Sequence, residues 1–350
     1  MTILLRSEHP VARRTLLKGA GLGAGTFIAA AANAQNDGSR GDGEGAIWSA
    51  EYWARKSTPT GEISLNLWRK RIGAPDPAEP SRPVLFLVHG SSNSARPSFD
   101  LTVDGKGEYS LMNVFARYGY DVWTMDHDGY GHSGSSGDNS DIASGVVDLK
   151  AAMPVLWRET GRSKFNFFGA SSGAIRAAAF AQAEPETVER VVLVALTYKG
   201  SRAPTLRDRS KQVEFYRTHN RRPRDRAMIR SIFTRDNLAT SYDMAVVDAL
   251  ADAELKFGEE VPTGTYLDMT ANLPLVDPTK VLCPVAIVHG DHDGIATPED
   301  LFDFYRQLPN GDRVFITLPN TAHNMTFANN RHLLWYATRS FLTAPAPAAG

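Results

Sequence analysis

Five short stretches of the chain are rich in apolar residues, and three of them, 84–88, 191–196 and 284–288, are apolar throughout. The five are 84–88 (VLFLV), 121–126 (DVWTMD), 164–168 (KFNFF), 191–196 (VVLVAL) and 284–288 (PVAIV). The run 84–88, apolar on both faces, fits a central strand covered on both sides, as in a parallel sheet, and the others read as further strands. Segment 313–318 (RVFITL) reads as a further strand. Helical segments fall between them: around 109–118 before Gly119, over 141–160 before Gly161, from Ala174 onward, over 298–308, and around 331–342. Glycine just past a helix suits the left-handed residue that ends one. Ahead of all this, WSAEYWARKS and EISLNLWRKRI flank Thr58-Pro59-Thr60-Gly61, which is turn chemistry between two strands of a hairpin. Residues 74–83 form a proline-rich loop.

Strands alternating with helices imply an α/β architecture: a mostly parallel central sheet flanked by helices on both faces. The rhythm breaks between 198 and 280, where helical stretches and prolines occur without a clear buried strand. This segment is expected to be a helical insertion between two parts of one core, 47–197 and 281–343. Residues 344–350 read as a tail. Open sheets of this kind bind ligands beyond the carboxyl ends of their strands. His89-Gly90, Ser171, Asp293 and His323 all fall at such ends.

The N-terminus reads differently. Ala12-Arg13-Arg14-Thr15-Leu16-Leu17-Lys18 is a twin-arginine pattern, residues 19–32 are uncharged, and Ala32-Asn33-Ala34 is a small-x-small cleavage site. A run this short is not a membrane anchor, which takes about 20 apolar residues. Residues 1–34 are therefore expected to be an export signal cleaved after Ala34, with 35–46 a flexible linker and the mature protein periplasmic or secreted. A net charge of −1 gives no pull toward nucleic acid or membrane. The single cysteine, Cys283, excludes an intrachain disulfide and sits in an apolar run that predicts burial. No metal-binding motif stands out, and no cofactor is expected.

At 169–173 the chain reads Gly-Ala-Ser-Ser-Gly, which is G-x-S-x-G centred on Ser171. A strand before it and a helix after it would set Ser171 on a sharp bend with its hydroxyl exposed. Serine is a poor nucleophile unless a base takes its proton and an acid orients that base. The candidates occur in the order Ser171, Asp293, His323. With His89-Gly90, Gly131-x-Ser133, G-x-x-D at 290–293 and the late His323, the chain resembles the α/β-hydrolase fold serine hydrolases over 47–343.

The resemblance implies a catalytic Ser171, Asp293 and His323. Asp291 competes with Asp293 as a turn residue or helper, and the G-x-x-D spacing favours Asp293. His89 reads as a structural histidine bonding loop backbone. The oxyanion hole needs two backbone N–H donors. One is expected from Ser172, at the start of its helix, and the other from Ser91, with Ser92 as the alternative. Serine at the elbow argues against the dehalogenases and epoxide hydrolases of this fold, which use aspartate. The expected function is cleavage of a small-molecule carboxylic ester through an acyl-serine. Amide, lactone or carbon–carbon hydrolysis on the same triad is the nearest alternative, followed by cofactor-independent oxygenation and, last, non-catalytic binding. Segment 198–280 would be a cap over the site. Its part 199–235 holds twelve Lys and Arg against Asp208, Glu214 and Asp225. A solvated helical face explains that run, and so does a positive rim for an anionic substrate that includes Arg221, Arg222 and Arg224. Phe215, Tyr216 and Tyr266 are candidate pocket aromatics.

Overall fold

The computed structural model describes residues 45–345 and the backbone of a two-residue strand, Gln35–Asn36. The expected export signal, most of the linker and residues 346–350 lie outside the described residues. Eight main strands make the central sheet: β1 Ile47–Thr58, β2 Gly61–Ile72, β3 Val84–Val88, β4 Asp121–Met125, β5 Phe165–Ala170, β6 Val188–Val194, β7 Val285–Gly290 and β8 Arg313–Leu318. Their order is β1-β2-β4-β3-β5-β6-β7-β8, with Gln35–Asn36 antiparallel outside β1. The hairpin β1–β2 and the β2–β4 pairing are antiparallel. Every pairing from β4 through β8 is parallel.

The unbroken apolar runs have the reason expected of them. All five residues of β3 and all five of β4 are buried. Neighbouring side chains point to opposite faces, so Phe167 and Phe168 enter different cores. On one face, Phe86, Phe167, Leu193 and Ile287 pack with the helices Ile142–Thr160, Ser172–Ala183 and Pro298–Gln307. On the other, Leu87, Phe168, Val192 and Val288 pack with Leu111–Arg117 and Arg331–Leu342. Asp141 caps the first of these helices by accepting the Ser144 N–H at 2.7 Å, and Gly161 closes it at φ 66°. Cys283 is buried, and burial pushes its thiol pKa up to about 12.

Segment 198–280 is mostly helical. It also contains a short antiparallel pair outside the central sheet, Arg221–Pro223 with Glu260–Pro262. The sequence reading missed this pair because three residues per strand are too few to show a period. Ile229, Phe233, Tyr242 and Leu250 of the segment pack with Leu101, Ala322 and Phe327, from the loops that follow β3 and β8. The segment thus lies against the carboxyl ends of the strands. A backbone bridge between Tyr242 and Ala328 fastens it there.

Candidate active site

β5 stops at Ala170 and the helix Ser172–Ala183 starts two residues later, so Ser171 makes the turn alone. Its φ is 59° and its ψ −126°. A side-chain-bearing residue pays about 1–3 kcal/mol for such a conformation, so the surroundings must impose it. They do so by close approach: a Cβ on Gly169 would sit 2.4 Å from the Gly173 carbonyl oxygen, and one on Gly173 would sit 2.1 Å from that of Val88. The two glycines let strand, turn and helix collapse onto each other, which leaves the Ser171 hydroxyl standing outward.

The structure brings Ser171, His323 and Asp293 together. His323 Nε2 lies 2.9 Å from Ser171 Oγ, and its Nδ1 lies 2.8 and 2.9 Å from the two Asp293 oxygens. Burial by itself would raise the Asp293 carboxyl. His323 and the N–H groups of Ile295 and Ala296, at 2.8 and 3.0 Å, outweigh it and hold its pKa below the usual value. The anionic carboxylate accepts only, so Nδ1 carries the proton and Nε2 is free to accept from the Ser171 hydroxyl. Asp291 has a different set of partners. It accepts the backbone N–H groups of Asn320 and Thr321, both at 3.0 Å, and so anchors the loop that carries His323.

Ser91, Ser92 and Ser172 gather beside Ser171. Ser91 Oγ donates to Ser172 Oγ at 2.8 Å, and Tyr130 Oη donates to the Ser91 carbonyl at 2.8 Å. Ser92 Oγ shares a 2.6 Å hydrogen bond with Tyr266 Oη. Ser91 and Ser92 both line a cleft of about 60 Å³ with Ser171 and His323. His89 bonds loop backbone: its Nδ1 is 2.8 Å from the Gly90 carbonyl, and its Nε2 accepts the His127 N–H at 3.1 Å. Burial drives the His89 pKa well down, so the ring is neutral.

The inserted segment supplies partners that sequence reasoning missed. Ser94 donates from its N–H and its hydroxyl to Glu254, at 2.8 and 2.9 Å, and Arg224 pairs with the same carboxylate at 2.9 Å. Arg224 also donates to the Ser92 carbonyl at 3.1 Å. On the other side, the His323 N–H donates to Asp236 at 3.2 Å and the Asn324 N–H to Tyr242 Oη at 2.9 Å. These partners stand 30 to 160 residues apart in sequence, and no local pattern signals them.

A larger chamber of about 600 Å³ adjoins the cleft and shares Ser92, Arg209, Ile232 and Arg235 with it. Tyr216 and Tyr266 line it, whereas Phe215 stacks on His219 at 4.2 Å. Of the three arginines expected at a rim, only Arg222 lines the chamber. Arg224 is buried on Glu254, and Arg221 faces Glu260 at 3.6 Å. Among the described residues, no three His, Cys, Asp or Glu side chains are grouped to hold a metal ion, and no helix is long and apolar enough to cross a membrane.

Solved structures of similar fold include a malate-bound thermophilic esterase from Thermogutta terrifontis, with a TM-score of 0.57 and 16% identity over 83% of this chain and 97% of that one. An enol-lactonase from Burkholderia xenovorans matches with a TM-score of 0.57 and 15% identity, over 83% and 100% of the two chains. A 2-hydroxy-6-oxo-6-phenylhexa-2,4-dienoate hydrolase from Rhodococcus gives 0.56 and 18%, over 83% and 99%. At such identities the likeness shows the fold alone. A search of curated proteins returned no match. Residues 80–330 match the family model described as serine aminopeptidase, S33. With residues 80–330 matched, and a fold like that of these structures, the protein has the α/β-hydrolase fold and belongs to that hydrolase family.

Proposed function

We propose that the protein is a serine hydrolase that cleaves a carboxylic ester through an acyl-serine. The observation that carries this reading is the hydrogen-bonded line Asp293–His323–Ser171, at 2.8 and 2.9 Å, opening on the cleft. His323 Nε2 takes the hydroxyl proton as Ser171 Oγ attacks the ester carbonyl carbon. Charge then builds on the carbonyl oxygen. The N–H of Ser172, at the positive end of its helix, and the N–H of Ser91 or Ser92 would receive it. Collapse of the tetrahedral intermediate breaks the bond to the alkoxy oxygen, and His323 returns the proton to the departing alcohol. Water, deprotonated by the same histidine, then releases the acid and restores Ser171. Segment 198–280 would serve as the cap over this chemistry.

Ser171→Ala is expected to drop p-nitrophenyl ester turnover by about 10⁶-fold, with an unchanged far-ultraviolet dichroism spectrum. A fluorophosphonate should modify Ser171 alone. Turnover retained in the variant, or oxygen consumption in place of ester cleavage, would overturn the reading. We further propose export by the twin-arginine route, on the strength of Arg13-Arg14 and the Ala32-Asn33-Ala34 site. N-terminal sequencing of the exported form should begin at Gln35, and a protein that keeps its leader and stays in the cytoplasm would refute this.

A further inference from the structure

Five arginines of the basic run, Arg217, Arg221, Arg224, Arg226 and Arg230, are matched by acids outside the chamber wall. Arg217 has Glu214 at 3.8 Å, Arg221 has Glu260 at 3.6 Å, Arg224 has Glu254 at 2.9 Å, and Arg226 and Arg230 share Asp248 at 3.7 and 2.7 Å. Exposed Arg202 and Arg207 have no such partner; Arg209 and Arg222 also have no carboxylate among the described residues within salt-bridge distance, but their setting differs. Both are partly buried in the wall of the large chamber. Their guanidinium carbons stand 5.1 and 4.7 Å from the centre of the Tyr266 ring. Arg235 joins them in the same wall; it is ion-paired with Asp236 at 3.8 Å, and its buried Nε has no hydrogen-bond partner.

We propose that this chamber is the binding site for an anionic group of the substrate, a carboxylate carried by the ester a few bonds from its reacting carbonyl, held by Arg209 and Arg222 with Arg235 beside them. The inference rests on the hydrolase reading and names its substrate class. The charge balance supports it. Three guanidiniums line the chamber against Asp236 and Asp208, and Asp208 is already paired with Lys211 at 2.8 Å. Crowding like charges in a half-buried wall costs stability, and a bound anion reverses that cost. Burial, then the charge of Arg235, brings the Arg209 pKa down to about 10, which still leaves it cationic at neutral pH. A guanidinium fork matches a carboxylate with two parallel hydrogen bonds, so arginine suits such a ligand better than lysine.

Position supplies the rest. Arg209 and Arg235 line the chamber and also the small cleft that holds Ser171 and His323. An anion on them is therefore a short acyl chain away from the nucleophile. Tyr266 stands between the anion site and the loop of Ser91 and Ser92, through its hydroxyl bond to Ser92.

The test compares two p-nitrophenyl esters, the neutral butyrate and the anionic hemiglutarate, which is one carbon longer and ends in a carboxylate, on the whole protein and on Arg209→Gln and Arg222→Gln. Each variant is expected to lose about 10- to 100-fold more in kcat/KM for the hemiglutarate than for the butyrate, the value of a charge-assisted hydrogen bond. Equal losses on both esters, or none, overturn the proposal. Free glutarate gives a readout that needs no variant: competitive inhibition of butyrate hydrolysis supports the anion site, and its absence sinks it. If the protein turns over neither ester, the hydrolase reading falls separately. Calorimetric binding of glutarate then decides the anion site: binding that Arg209→Gln abolishes sustains it, and no binding to the unaltered chain refutes it.

Discussion

Asp291 and Asp293 stand two positions apart and have different partners, the first backbone N–H groups and the second a histidine. That division makes Asp293→Asn an informative change. An amide can donate to His323 Nδ1 and so favour the tautomer that faces Ser171 with a proton. The expected result is a fall in kcat of about 10⁴-fold with the fold retained, read from ester kinetics and dichroism. Acid stability is a second readout. The folded Asp293 carboxyl is held below its ordinary value of 3.8, so its contribution is present above the unfolded pKa and is lost as the pH falls through the lower folded one. Denaturant titrations below about pH 4 should therefore fall less steeply for Asp293→Asn than for the unaltered chain. Equal steepness would show that the carboxylate gains nothing from its partners.

At the scale of elements, segment 198–280 holds two loops from outside itself. Glu254 and Arg224 grip the loop of Ser92 and Ser94, while Asp236 and Tyr242 grip the loop of His323. Glu254 is wholly buried, and burial pushes its pKa up to about 7 against the pull of Arg224 and Ser94. At about pH 8 the carboxylate is ionised, and Glu254→Ala would leave Arg224 buried without its partner, a loss of about 3–5 kcal/mol in chemical denaturation. Tyr242→Phe should cost less, about 1–3 kcal/mol, because it strands neutral groups such as the Asn324 N–H and no buried charge. A stability unchanged by either would mean that the segment rests on the loops without holding them. These contacts also mark the limit of what the chain shows when read as a string. The runs at 84–88 and 164–168 could be read as buried strands because their neighbours on both faces are generically apolar, whatever their identity. The Ser171 elbow was legible because tight backbone packing demands glycine at fixed spacing. Arg224 and Arg209 were not separable: each is one cation in a basic run, and only the fold decides that one meets Glu254 and the other faces an open chamber.

For the molecule as a whole, the sheet is the wall shared by two cores. Phe167 and Phe168 are adjacent in β5, fully buried, and on opposite sides of that wall. Truncating either to alanine should cost about 3–5 kcal/mol. Because the backbone of one strand serves both cores, each variant should lower one common transition, seen alike by far-ultraviolet dichroism and tryptophan fluorescence. Two transitions shifted separately would show that the faces melt independently. Cys283, the only thiol in the chain, lies just ahead of β7 and is buried, with its pKa raised to about 12. Thiolate, not thiol, reacts with alkylating reagents, so the folded protein should be inert to iodoacetamide. Each alkylated molecule then records one excursion in which the edge of the sheet beside β7 came open. A mass spectrum taken over time becomes a clock for that opening, with one mark per chain and no label added.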